Sequence, residues 1–145
     1  MAHTFVKDVM IDKVATLDSS SMIKDAAKIM DEKNIGCVIV TQNNQPVGIL
    51  TERDFVRRIA SKEKPLTSPL EEVMSSPLIS IDPGETVWEA AEQMKVKNIH
   101  KLPVIDNDKV IGIITTSDLV EICSVGSDSE MRRICDEILT RMQKE

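Results

Sequence analysis

Aromatic side chains are nearly absent from this chain of 145 residues: Phe5, Phe55 and Trp88 are present, and tyrosine is not. The core is therefore expected to be aliphatic, built from Ile, Val, Leu and Met. Cysteine is scarce and odd in number, with Cys37, Cys123 and Cys135 forming no CxxC pair. That excludes a disulfide framework and predicts reduced, packed thiols in a cytoplasmic protein. No stretch approaches the roughly 18 apolar residues of a membrane span, and MAHTFVKDVM carries no signal-peptide core. Positive charge is in deficit, with 18 Lys and Arg against 24 Asp and Glu. A net charge of −6 and an isoelectric point near 5.0 argue against duplex DNA or an anionic membrane as partner. Small phosphorylated ligands stay open, since acidic domains bind phosphates locally. The two histidines, His3 and His100, are far apart and lack companions at metal-ligand spacing, so no metal is expected. No acid–base carboxylate pair stands out either, and the chain does not read as an enzyme.

What the chain does have is an internal repeat. Val9–Ile59 aligns with Val73–Cys123 at a constant offset of 64 residues, and 16 of the 51 pairs are identical. Val9/Val73, Met10/Met74, Asp18/Asp82, Ala26/Ala90, Met30/Met94, Asn34/Asn98, Gly48/Gly112, Thr51/Thr115 and Asp54/Asp118 are among them. Two copies of a long period point to two α/β units facing each other about a pseudo-twofold axis, with related clefts between them.

Each copy reads βαββα. A short extended run (Val14–Leu17; Leu78–Ile81) leads through a polar turn into a helix. That helix has apolar positions Ile23, Ala26, Ala27 and Met30, then Val87, Ala90, Ala91 and Met94. Asn34 and Asn98 stand where a left-handed cap is expected. Two β-branched runs follow in each copy, Cys37–Thr41 with Val47–Thr51 and Leu102–Asp106 with Val110–Thr115. A second helix starts at once (Glu52–Ala60; Thr116–Ser124). The boundaries predicted are 1–61 for the first repeat, 62–69 for a charged, proline-bearing linker and 70–125 for the second repeat. Residues 126–145 read as a tail helix, opened by Ser127 with Glu130 and striped by Met131, Ile134, Cys135, Ile138, Leu139 and Met142.

The junctions Gly48-Ile-Leu-Thr-Glu-Arg-Asp54 and Gly112-Ile-Ile-Thr-Thr-Ser-Asp118 carry the sharpest chemistry. A strand ends in a hydroxyl and enters a helix whose first turn holds an Asp. Unpaired N–H groups and the positive dipole end suit a phosphate there, and the carboxylate can accept both hydroxyls of a ribose diol. The plainer alternative is helix capping, with Thr51 and Thr115 as caps and the two Asp favouring the dipole.

The βαββα repeat, the VM…D turn, the NIHKLPVID segment and the GIITTSD junction resemble a tandem pair of cystathionine-β-synthase (CBS) domains, over Lys7 to about Val125. The resemblance implies an α+β fold of two such repeats, often assembled as homodimers. It also implies an adenine-nucleotide site in the cleft between the repeats. Thr115, Ser117 and Asp118 match the family's junction pattern fully. Thr51 and Asp54 match it too, but Arg53 replaces the hydroxyl. By resemblance, Asp118 and Asp54 would hold ribose hydroxyls, with the threonines and Ser117 on ribose or phosphate.

His100 and Lys101 resemble a phosphate-contacting pair, the alternative being an ordinary strand-edge His-Lys; their counterparts are Gly36 and Cys37. Backbone near Ile35–Val38 and Ile99–Pro103, including Leu102 and Pro103, could read an adenine edge. Arg53, Arg57 and Arg58 could reach a phosphate chain, or could form a solvated face pairing with local acids; Arg53 and Arg57 are i, i+4 neighbours. The expectation is a stand-alone, non-catalytic regulator that binds AMP, ADP, ATP or an adenosyl derivative. It would be homodimeric, with one dominant site containing Asp118, and would be read by an unidentified regulated protein. The rival is an interaction or scaffold subunit with vestigial clefts, working through dimerisation and the tail helix.

Overall fold

The computed structural model describes residues 4–123 together with Arg132, Arg133 and Asp136. The expected tail helix with its cap and apolar stripe lies outside the described residues. The fold is α+β and divides into two compact units, one formed by 13–79 with 107–110 and the other by 4–12, 80–106 and 111–123.

In the first of these, β1 (Thr16–Asp18) pairs in parallel with β2 (Cys37–Gln42), which pairs antiparallel with β3 (Gln45–Thr51). Cys37, Val38, Ile39 and Val40 are all buried, as a continuous apolar run in a central strand should be. Between β1 and β2 runs α2 (Ile23–Lys33), which buries Ile23, Ala26 and Met30 at helical spacing. Asn34 ends it with φ 52°, the expected left-handed cap. The β2–β3 turn uses Asn43 and Asn44 at φ 52° and 64°, the doubly left-handed geometry that matches strand twist. Ala15, Leu50, Ile59, Leu70 and Val73 complete the aliphatic core. Each large side chain there contributes about 1.5–3 kcal/mol by leaving water.

The second helix of this repeat, expected as one uniform helix over Glu52–Ala60, changes winding instead. Its first turn, α3 (Glu52–Asp54), is α-helical, whereas Phe55–Ala60 is a π-helix. The i→i+5 bonds Ser61 N–H to Val56 O and Lys64 N–H to Ile59 O, both 3.0 Å, carry the wider winding to its end.

The second repeat follows the same plan through α4 (Val87–Lys97), β4 (Lys101–Asp106), β5 (Lys109–Thr115) and α5 (Thr116–Cys123). Val87, Ala90, Ala91 and Met94 are buried, Asn98 closes α4 at φ 55°, and Asn107 and Asp108 turn the hairpin at φ 50° and 64°. The strand expected over Leu78–Ile81 shrinks to one parallel bridge, Ile81 to Val104. The reason lies at Pro83. Its counterpart Ser19 donates its N–H to Thr41 O at 2.8 Å, extending β1, and proline has no proton to give.

The leading segment of each repeat packs within the unit built on the other repeat, bond for bond. Leu70 N–H donates to Ser21 O (2.9 Å) and Glu71 N–H to Ser19 O (3.1 Å). Sixty-four residues away, Val6 N–H donates to Glu85 O (2.8 Å) and Lys7 N–H to Pro83 O (3.1 Å). Ser68 O takes the N–H of Ile23 at the head of α2 as Thr4 O takes that of Val87 at the head of α4. The structural repeat therefore begins at Thr4 and Ser68, earlier than sequence identity reveals. A short helix α1 (Val6–Val9) and a 3-10 turn (Leu70–Glu72) follow these starts; neither was legible from periodicity.

Gly48 and Gly112 serve this packing. The antiparallel bridges Ile49 to Ser75 and Ile113 to Ile11 lay the leading segments across β3 and β5. A Cβ on Gly48 would meet Met74 Sδ at 2.6 Å and Ser75 O at 2.9 Å. One on Gly112 would meet Met10 Sδ at 2.6 Å and Ile11 O at 3.0 Å. Among the described residues no helix is long and apolar enough to cross a membrane.

Candidate functional site

Repeat two gathers its polar candidates at one end of the β4–β5 hairpin. Thr115 ends β5 and caps α5: Asp118 N–H donates to Thr115 Oγ1 at 3.2 Å, and Thr115 N–H donates to Asp118 Oδ2 at 2.9 Å. This reciprocal box fixes the Asp118 rotamer while committing only one of its oxygens. Thr116 N–H donates to His100 O at 3.0 Å, which brings the start of β4, with His100 and Lys101, beside the start of α5. Ser117 is exposed, Thr115, Asp118, His100 and Lys101 are half-buried, and Nε2 of His100 is buried. Leu102 and Pro103 are buried. Pro103 has no N–H, and its carbonyl already accepts from Ile81 N–H at 3.0 Å.

Repeat one makes the same junction from different parts. Glu52 N–H donates to Gly36 O at 3.1 Å, and Cys37 lies opposite Thr51 in the β2–β3 ladder. Asp54 is buried, with 7% of its surface exposed. Its Oδ2 accepts from Thr51 N–H at 2.9 Å and from the Thr51 hydroxyl at 3.2 Å. Its Oδ1 faces Arg58 Nε at 3.4 Å. The same guanidinium donates through Nη1 to Met74 O at 3.0 Å and to Val73 O at 3.5 Å. Arg53 and Arg57 are exposed. For Arg58 the expected alternative, pairing with a local acid, is what the structure shows, though the sequence did not single out Asp54 as that acid. The opposite charges at Asp54 and Arg58, four apart on one helix, were the available signal. Ile122 stands at the matching position of repeat two, and among the described residues no cation pairs with Asp118.

Both junctions are thus helix caps. Among the described residues, only repeat two leaves a carboxylate oxygen, an exposed hydroxyl and a lysine at the same strand end. Such a set can accept hydroxyls from a diol and attract an anion. Among the described residues, no group of three or more His, Cys, Asp or Glu is placed to hold a metal ion.

Fold and junctions together define a tandem α+β module whose two copies share a backbone and differ in their polar ends. The chain belongs to the CBS domain family, whose model matches it twice, over 6–61 and 70–124. It is a CBS pair, a regulatory module. It is 33% identical over 114 residues to the CBS domain-containing protein YhcV of Bacillus subtilis, spanning 79% of this chain and 81% of that one. A homoserine O-acetyltransferase of Methanohalobium evestigatum is 38% identical over 121 residues, but the chain spans 24% of that protein's length. Among solved structures, the CBS domain pair of protein MJ0100, in complex with 5′-methylthioadenosine and S-adenosyl-L-methionine, matches with a TM-score of 0.77. That match has 30% identity and covers 85% of this chain and 98% of the other. A protein from Pyrococcus horikoshii matches with a TM-score of 0.77 and 25% identity, covering 89% and 99%.

Proposed function

We propose that this CBS pair is a non-catalytic cytoplasmic regulator that binds an adenosine-containing ligand through repeat two and passes its occupancy to a partner protein. AMP, ADP, ATP and adenosyl derivatives share the feature this reading uses, a ribose with two neighbouring hydroxyls. Asp118 carries the reading. Its carboxylate is held by Thr115 N–H through one oxygen, and the other has no cation on it among the described residues. A diol donating to that oxygen would gain a charge-assisted bond without first displacing an internal partner. Thr115 and Ser117 would serve ribose or phosphate, and His100 and Lys101 a phosphate chain. The structural neighbour bound to 5′-methylthioadenosine, a ligand without phosphate, favours the ribose contact as the common element.

Asp118→Ala tests the reading. Calorimetric titration with AMP and with 5′-methylthioadenosine should show both affinities weakened by about 1–3 kcal/mol, while the protein still melts cooperatively. Unchanged affinity in a folded variant would reduce Asp118 to a capping residue. A second reading, a protein-interaction subunit, is favoured by α4, where Trp88 and Val96 are 40% and 72% exposed. Homodimerisation through such a surface is compatible with ligand binding, and a protein indifferent to every adenosine compound would leave only this reading.

A further inference from the structure

The two Asp of the internal repeat are in unequal states. Asp54 is saturated from within: Thr51 takes one oxygen with two donors, and the Arg58 guanidinium stands on the other. Arg58 is not a casual surface partner. Half of its side chain is exposed (49%), yet its planar fork also reaches the Met74 and Val73 carbonyls, and the carboxylate it meets is 10% exposed. A guanidinium that satisfies a buried carboxylate and two carbonyls at once is preorganised, so little side-chain entropy is lost in each contact. A neutral diol that approached Asp54 would have to displace a charged donor and leave the Met74 carbonyl without its bond. Repeat two has Ile122 at this position, and among the described residues no cation stands on Asp118 to oppose a diol.

From this we infer that Arg58 is an internal competitor for the ribose diol, closing repeat one to nucleosides and confining binding to repeat two. The inference rests on the proposed adenosine binding and assigns it a determinant of stoichiometry. Arg58 touches no ligand in this account; it acts by occupying Asp54. It also ties the first junction to the segment that leads into repeat two, since Val73 and Met74 are the residues whose carbonyls it holds.

The test counts bound equivalents of 5′-methylthioadenosine, an uncharged probe, by equilibrium dialysis. The proteins compared are wild type, Arg58→Gln, Asp118→Ala and the double variant. Gln places no charge on Asp54; its amide ends level with the Arg58 Nε, two bonds short of the Nη1 that holds the Met74 carbonyl, so cooperative melting of each variant is checked first. Wild type should bind one equivalent and Asp118→Ala none in the same range. Arg58→Gln should bind two, and the double variant should regain one, with affinity at repeat one raised about tenfold or more. A folded Arg58→Gln that still binds one equivalent, while Asp118→Ala abolishes it, overturns the inference and leaves adenosine binding standing. Loss of all binding in Arg58→Gln overturns it too, because Arg58 would then be a ligand contact. No binding by any of the four proteins overturns the underlying reading.

If the variant does not fold, wild type itself decides. Raising salt from about 0.05 M to about 1 M screens the half-exposed Arg58–Asp54 pair. A second equivalent of the uncharged probe should then strengthen relative to the first. A ratio of affinities unmoved by salt overturns the inference.

Discussion

The two repeats agree where the backbone is at stake and part where a ligand would meet it. Bridges, left-handed caps, hairpin turns and inter-segment bonds recur 64 residues apart, and Gly48 and Gly112 alike leave no room for a Cβ beside the leading segment. At the junctions, by contrast, Arg53, Arg57 and Arg58 of one copy stand against Ser117, Glu121 and Ile122 of the other, and Gly36-Cys37 against His100-Lys101. The packing positions of the repeat therefore have one solution, while its polar positions are set independently in each copy. Stability should then be a property on which the repeats match, and binding one on which they differ.

The largest effect should come from the matched cores. Leu50 and Ile114 are both fully buried at equivalent positions. Leu50→Ala and Ile114→Ala should each cost about 2–5 kcal/mol in urea denaturation, and the two costs should be similar. A variant that unfolds one repeat in a separate transition would break the comparison, by showing that the units do not share one cooperative structure. Somewhat smaller are the glycine crossings. Gly48→Ala and Gly112→Ala push a methyl towards a methionine sulfur and a carbonyl oxygen, and each should cost about 1–3 kcal/mol. If one were neutral, the leading segment on that repeat would be able to shift.

Why these features were legible follows from their physics. Helical spacing, Asn caps and double Asn or Asn-Asp turns are local constraints, so the four long strands and the helices α2, α4 and α5 stand close to where periodicity puts them. The start of the repeat at Thr4 and Ser68 was not legible, because it is made of carbonyl and N–H groups that any residue supplies. The π winding over Phe55–Ala60 was hidden for a similar reason, since its residues fit an α pattern. At the site, the resemblance carried Asp118 and Asp54 equally. Only the geometry separates them, because the half-exposed Arg58 side chain could equally have turned away from Asp54.

The binding difference is sharpened by Lys101. Half-buried at the start of β4, it replaces Cys37 of repeat one. Lys101→Ala should weaken AMP binding about five- to tenfold at low salt, a loss that shrinks as ionic strength rises. Binding of 5′-methylthioadenosine, which carries no phosphate, should be unchanged. Equal losses for both ligands would mean that Lys101 shapes the strand end and does not meet a phosphate.

The smallest effect belongs to the turns after β1 and Ile81. Asp18 accepts from Ser20 N–H at 2.9 Å and from the Ser20 hydroxyl, whereas Asp82 accepts from Gly84 N–H at 2.8 Å, with no hydroxyl at that position. The Ser20 hydroxyl first, and its N–H second, hold the Asp18 carboxyl below its ordinary value of 3.8; burial opposes them weakly. A depressed pKa stabilises the fold above the unfolded value, and that contribution disappears as pH falls through the lower folded value. Ser20→Ala removes the larger cause, so Asp18 should titrate closer to its ordinary value while the N–H bond keeps the turn. Carboxyl carbon shifts followed through an acid titration would read this directly. An Asp18 midpoint unmoved by Ser20→Ala would show that the backbone bond alone sets it, and the two turns would then be electrostatically alike.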